Sequence, residues 1–309
     1  MLLGLLIALG PACGDGAPAP ARPSAEAVQA MARARALFAE EKPFEAAAEL
    51  ERAAELAPDW AEAHLALGKL LLSHSDVRFA TATVDRARLE RAIEHLEEAC
   101  FLAPQDPEAA YWSGRGLAKA DRGAEASARL TRALELDPEH GLARKELGLL
   151  LAAEGDTRRA VEELTRARAL LPGDDELLLR LGLALEGEER LEEARDAYLA
   201  ARAANPAHPG PPSALAVLYG RLGDPAAAER MRAEFERLRA FGKRLTAALA
   251  HQQEHSRDPA ACMALAELYL ELAAEAQAVR WAERALLLDA QHAPALELLR
   301  RLRPGEERP

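Results

Sequence analysis

His251, Gln252, Gln253, Glu254 and His255 spell HxxEH. On a helix this spacing puts two imidazoles one turn apart on one face, able to share a zinc ion with the Glu254 carboxylate beside them. A hydrolase built on such a pair needs a further carboxylate ligand from a distant element, and only Ser256 to Pro309 follow. The polar end of a long helix is therefore the leading reading, and a metal-dependent hydrolase the alternative. Ser73, His74, Ser75 and Asp76 hold the residue types of a nucleophile triad, but neighbours in sequence have no fixed geometry and no oxyanion hole accompanies them. His140, His208 and His292 share one slot and read as solvated turn residues. Cys100 and Cys262 stand far apart outside CxxC spacing and read as small buried apolar residues. There is no Gly-rich phosphate loop and no GxSxG elbow. No catalytic residue, metal or cofactor is assigned, and the chain reads as a non-enzyme.

The elements that carry these residues follow from composition. The chain has 309 residues, 50% hydrophobic and 29% charged, enough apolar material for a continuous core. Its net charge is −12, and five lysines (Lys42, Lys69, Lys119, Lys145, Lys243) accompany the arginines, so nucleic acid is excluded as a general partner. Abundant Ala, Leu, Glu and Arg with 4% aromatics describe helices, because these side chains lose little rotamer freedom there.

Proline recurs at Pro104, Pro138, Pro172 and Pro206, an interval of 34 each time. Gly114, Gly148 and Gly182 keep the same period, as do Ala126, Ala160 and Ala194; Leu130, Leu164 and Tyr198; and Ala133, Ala167 and Ala201. Small residues are needed where two antiparallel helices cross, Leu164 and its equivalents fill the space beside the crossing, and proline ends the second helix. This pattern resembles the tetratricopeptide repeat (TPR), best in Leu147, Gly148, Leu151, Ala160, Leu164, Ala167 and Pro172. The resemblance implies an all-α, right-handed superhelical solenoid of about seven helical hairpins with a C-terminal capping helix.

The repeats are expected over residues 27–60, 61–106, 107–140, 141–174, 175–208, 209–258 and 259–292, with the cap over 293–303. In the second repeat Gly68 and Ala92 are farther apart than Gly148 and Ala160, which places an insertion at 73–88, expected as a loop. In the sixth, Met231, Phe235, Leu238, Leu245 and Leu249 keep three-and-four spacing without proline and predict one long helix from Ala226 to about His255.

In the TPR plan the first helix of each hairpin lines the concave side. Helical periodicity then directs Met31 and Arg35, Leu65 and Lys69, Tyr111 and Arg115, Lys145 and Leu149, Leu179 and Leu183, Ser213 and Val217, and Met263 and Glu267 into the groove, with Lys119 and Arg180 at its border. The expected partner site is Lys69, Tyr111, Arg115, Lys145, Leu149, Leu179 and Leu183: apolar seats and cationic rims for a protein or peptide with apolar and acidic groups. No Asn occupies these slots, so the Lys and Asn clamp of chaperone-tail-binding TPR domains does not carry over.

Residues 1–12, MLLGLLIALGPA, form an apolar run too short to span a bilayer, followed by Cys13 and a Pro- and Ala-rich tether over 13–24. The segment resembles a bacterial lipoprotein signal, which implies removal of 1–12 and lipidation of Cys13. An ordinary secretory signal and a misassigned start are the alternatives. Gly14, directly after the cysteine, is not the Asp that retains enteric lipoproteins at the inner membrane, which leans the resemblance towards the outer membrane. The expectation is a membrane-anchored, periplasm-facing, non-enzymatic scaffold for assembly of a cell-envelope complex. A TPR regulator of a separately encoded enzyme is a further alternative.

Overall fold

The structure, a computed structural model, describes residues 22–40, 42–74, 82–272 and 274–303. Secondary structure among these residues is entirely helical. The first compact unit lies within residues 1–172 and pairs α1 (Ala25–Ala39) with α2 (Pro43–Leu56), α3 (Ala61–His74) with α4 (Ala82–Leu102), α5 (Pro107–Lys119) with α6 (Gly123–Leu136), and α7 (Gly141–Ala153) with α8 (Thr157–Leu170). The second lies within 173–309 and pairs α9 (Asp175–Gly187) with α10 (Leu191–Ala204), α11 (Gly210–Arg221) with α12 (Pro225–Glu254), and α13 (Pro259–Glu271) with α14 (Glu275–Leu288); α15 (Ala293–Leu302) follows. Within each unit the most extensive packing is inside the hairpins, and the next is between the second helix of one hairpin and the first helix that follows it.

Local chemistry sets the helix starts. Side chains of Ser24, Asp106, Asp156, Asp174, Asp224 and Asp258 each accept a backbone N–H of the first turn that follows. Proline opens α2, α5, α12 and α13, where no N–H is needed. The turn inside a hairpin passes through the left-handed region at one repeating position: Asp121, Gly155, Glu189 and Gly223 have φ of 60°, 85°, 57° and 77°.

The hairpin crossing depends on missing bulk. A Cβ on Gly148 would stand 2.7 Å from Leu164 Cγ, and one on Gly182 only 2.3 Å from the Tyr198 ring. Tyr198 is fully buried and donates its hydroxyl to Glu186 Oε2 at 2.9 Å. In the second hairpin His64 and His95 join α3 to α4. His64 Nε2 donates to the Pro58 carbonyl at 3.0 Å, which leaves Nδ1 bare to accept from His95 Nδ1 at 3.0 Å. In the C-terminal unit, Ala295 and Leu298 of α15 cover a cluster that includes Cys262, Met263, Ala266 and Ala282.

The expected loop at 73–88 overlaps helix at both ends. Ser73 ends within α3, its hydroxyl donating to the Lys69 carbonyl at 2.8 Å, and α4 already begins at Ala82. Residues 82–88 are helical because the run from Ala82 to Leu102 contains neither Gly nor Pro and is rich in Ala, Leu, Arg and Glu. Ser75 and Asp76 of the triad-like run lie outside the described residues, as does Cys13. The long helix α12 lies against α11 and against α13, with Leu238, Phe241 and Gln252 buried.

Candidate functional site

In the N-terminal unit, α1, α3 and α5 carry one cluster of cations, carboxylates and rings. The indole of Trp112 lies between Lys69 Nζ, 5.1 Å from the ring centroid, and the Arg115 guanidinium, at 5.0 Å. Glu108, one turn before Trp112, ties the cluster together: its Oε2 accepts from Lys69 Nζ at 2.8 Å and from Trp112 Nε1 at 3.0 Å. His140 Nε2 is 3.4 Å from the other carboxylate oxygen. Burial pushes the Glu108 carboxyl up, but the hydrogen bond and charge of Lys69, the Trp112 N–H and His140 outweigh it and hold it below the usual carboxylate range.

Ion pairs link successive first helices: Arg35 to Glu62 at 2.5 Å, Lys69 to Glu108 at 2.8 Å and Arg115 to Glu146 at 3.8 Å. All are at least partly solvated, so each adds ~1 kcal/mol or less. Beside them opens a cleft of about 440 Å³, floored by Met31, Leu50 and Leu70 and edged by Phe38, Lys69 and Trp112. Phe38 is 60% exposed.

The expected site residues divide by slot. Those one place beyond the glycine slot face outward: Lys69 and Arg115 are partly exposed, Leu149 is half-buried and Leu183 is 46% exposed. Those three places before it turn inward. Tyr111 is only 2% exposed, packed on His140 with ring centroids 4.7 Å apart and on Trp112 at 5.3 Å. Burial pushes its hydroxyl up to about 12. Leu179 is 9% exposed, Met31 and Met263 are buried too, and Lys145 is half-buried. Tyr111 and Leu179 are therefore packing residues, not groove contacts: Tyr111 lies against His140, at the turn that starts the next hairpin.

Sequence reasoning missed Phe38 and Glu108. A signal for Phe38 was present, because Met31, Arg35 and Phe38 follow i, i+4, i+7 and so share one face.

The histidine slot is also corrected. His140 is 9% exposed, and its Nδ1 accepts the Ala143 N–H at 3.2 Å, so it is a buried helix cap. His208 is half-buried with Nδ1 2.9 Å from Asp175 Oδ2. Cys100 and Cys262 are both buried, and burial pushes the Cys262 thiol up. His251 and His255 have ring centroids 4.4 Å apart, but α12 ends between them. Among the described residues no group of three or more His, Cys, Asp or Glu is placed to hold a metal ion, so the HxxEH run has no ligand set there.

A tetratricopeptide-repeat family profile matches residues 114–174 and 146–209. No curated protein matches the sequence. Among solved structures, pilF of Pseudomonas aeruginosa is 19% identical, with a TM-score of 0.58 over 69% of this chain and 91% of that one. MamA (residues 41 to the end) of Desulfovibrio magneticus is 25% identical, with a TM-score of 0.48 over 56% of this chain and 95% of that one. YrrB, described as a TPR protein with an unusual peptide-binding site, is 19% identical, with a TM-score of 0.43 over 80% and 96%. The likeness to pilF establishes a shared fold.

Proposed function

Because the chain is a tetratricopeptide-repeat protein, a family of protein-interaction repeats, we propose that it is a non-enzymatic scaffold that holds a protein partner against the first helices of its hairpins. The open cleft beside Trp112 carries this reading: it leaves Phe38 exposed on a face where cations and an indole are already held in place. Ordered side chains lose less entropy on binding, so such a patch is a better anchor than scattered surface residues. In this reading Cys13 bears lipid and fixes the scaffold to a periplasm-facing membrane leaflet during assembly of an envelope complex. Two or more acyl chains would hold it stably, at ~0.8 kcal/mol per buried methylene. Among the described residues no helix is long and apolar enough to cross a membrane.

A photo-crosslinking amino acid at Phe38, in cells expressing the full chain, tests the scaffold. The expected result is a discrete protein adduct. Adducts that form only from the outer faces of α2 and α4 would place the partner elsewhere. Mass spectrometry of the mature N-terminus tests the anchor: a lipid on Cys13, lost in Cys13→Ser, is expected, and an unmodified Cys13 overturns it.

A further inference from the structure

The first helices of the N-terminal unit carry a cationic surplus in an acidic protein. In a chain of net charge −12, α1, α3, α5 and α7 carry seven Lys and Arg against four carboxylates. Their hairpin partners α2, α4, α6 and α8 carry ten Arg against thirteen carboxylates, and α9, α11 and α13 carry two Arg against five. At the apolar cleft itself, the charged side chains among the lining residues, Arg35 and Lys69, are both cations, although α2, which supplies Leu50 to the floor, carries one Arg against four carboxylates.

We infer that this cleft receives a large apolar side chain from an acidic amphipathic helix of a protein partner, whose carboxylates are carried by Lys69 and Arg115 on either side of Trp112. This rests on the scaffold reading and specifies its ligand. The floor of Met31, Leu50 and Leu70 offers nothing to a polar group, while Phe38 forms an apolar lip. Lys69 and Arg115 lie against the indole, so their heads are positioned before a partner arrives. Their present carboxylate partners are weak competitors: Glu108 is half exposed and Glu146 stands at 3.8 Å from Arg115. An incoming carboxylate exchanges for a solvated pair at little cost, while the apolar insertion supplies affinity. One apolar seat with cations to one side matches a helix whose apolar and acidic faces alternate with three-and-four spacing. A flat anionic membrane would meet the cations but could not fill a concave seat, so a protein helix is the assigned occupant.

The test uses the full chain and a labelled helical peptide of about four turns, Leu on one face and Glu on the other. Two counterparts replace every Glu by Lys or every Leu by Ala. Fluorescence anisotropy should show the Leu/Glu peptide binding at least about tenfold more tightly than either counterpart, with affinity falling as salt rises. Trp112→Ala should weaken it about tenfold or more, and Trp112→Phe much less. Trp112 also packs against the core of α1–α4, so the double variant Lys69→Gln with Arg115→Gln, which leaves the floor intact, should give a similar loss. Leu287→Ala, at an 87% exposed position on α14, should change nothing. Equal affinity for the Lys peptide, or full affinity in the double variant, overturns the inference. So does binding to phosphatidylglycerol vesicles that needs Lys69 and Arg115 while the peptide fails to bind. The Phe38 crosslink separates the two readings: an adduct with a partner lacking an acidic helix keeps the scaffold and sinks this ligand, whereas absence of any adduct sinks the scaffold itself.

Discussion

The outward slot one place beyond the helix-crossing glycine reads Arg35, Lys69, Arg115 and Leu149 in the N-terminal unit, but Leu183, Val217 and Glu267 in the C-terminal unit. In the first unit the cations are tied by ion pairs between neighbouring helices, and two of them lie on Trp112. In the second, Leu183 and Val217 stand 46% and 61% exposed. The same backbone position is thus chemically free to vary, because it touches no hairpin interior. The crossing positions have no such freedom in either unit, since Leu164 and Tyr198 occupy the volume that Gly148 and Gly182 leave empty.

The largest effects should erase the difference between units. Gly148→Leu and Gly182→Leu should each destabilise by about 1 to 3 kcal/mol or more through overpacking. Hydrogen exchange should show the loss concentrated in the unit that carries the change, because contacts run mainly between neighbours. Wild-type melting in both variants would contradict the packing described above.

The His64 and His95 pair should separate the units again. His64→Ala leaves the Pro58 carbonyl and a His95 N–H without their partners, at a cost of about 1 to 3 kcal/mol. Burial, then the neighbouring His64 and Arg91, lowers the His95 pKa from 6.5 against the opposing pull of Glu94 and Glu51. A lowered histidine favours the neutral form in the folded state, so its contribution is complete above 6.5 and is lost as pH falls through the lower folded value. Amide protection in α3 and α4 should therefore decline on mild acidification, and His95→Gln should flatten that decline.

A smaller effect is expected at the turns. Glu189→Gly should stabilise by up to ~1 kcal/mol by relieving a side chain held at positive φ, and Asp121→Gly by less, because Asp tolerates that region better. Thermal melts of the two variants give the ranking directly. Loss of the Glu189 pair to Arg221 should matter little, since Glu189 is largely exposed.

The smallest effect is local to Glu108. Lys69→Ala removes its strongest opposing contact, so the Glu108 titration should move upward by NMR with little change in melting. In the wild type, the stability tied to this carboxylate is present above 4.5 and is lost as pH falls through its lower folded value. An unchanged Glu108 titration in Lys69→Ala would mean that the cluster is not coupled as its distances imply.

The hairpins were legible in the sequence because five slots share a period of 34 and each slot has a steric reason, as at Gly148 and Leu164. The cation slot was legible for the same reason, since Lys69 and Arg115 sit one residue beyond a glycine. The inward slot was not. Periodicity places Tyr111 on the side of α5 away from α6, but only the position of α7 determines whether that side is open or covered, and His140 covers it. Spacing places Trp112 one turn from Glu108 on α5 but could not reveal Glu108 as a shared partner, because Lys69 and His140 come from elements far away along the chain. The start of α4 was misplaced because the repeat register locates the crossing at Ala92 but says nothing about how far a helix continues beyond it.

The order of contacts along the chain has a kinetic consequence. Within each unit a helix meets its hairpin partner first in sequence, and the hairpin then meets the helix that follows it. Little loop-closure entropy is lost before the first contacts form, and low contact order of this kind is associated with fast folding. In the exported chain of the proposed function the N-terminal hairpins emerge first from the translocation channel, so α1 closes on α2 and α3 docks, and the cleft edged by Phe38 is built from α1 to α5 while the C-terminal unit is still to follow.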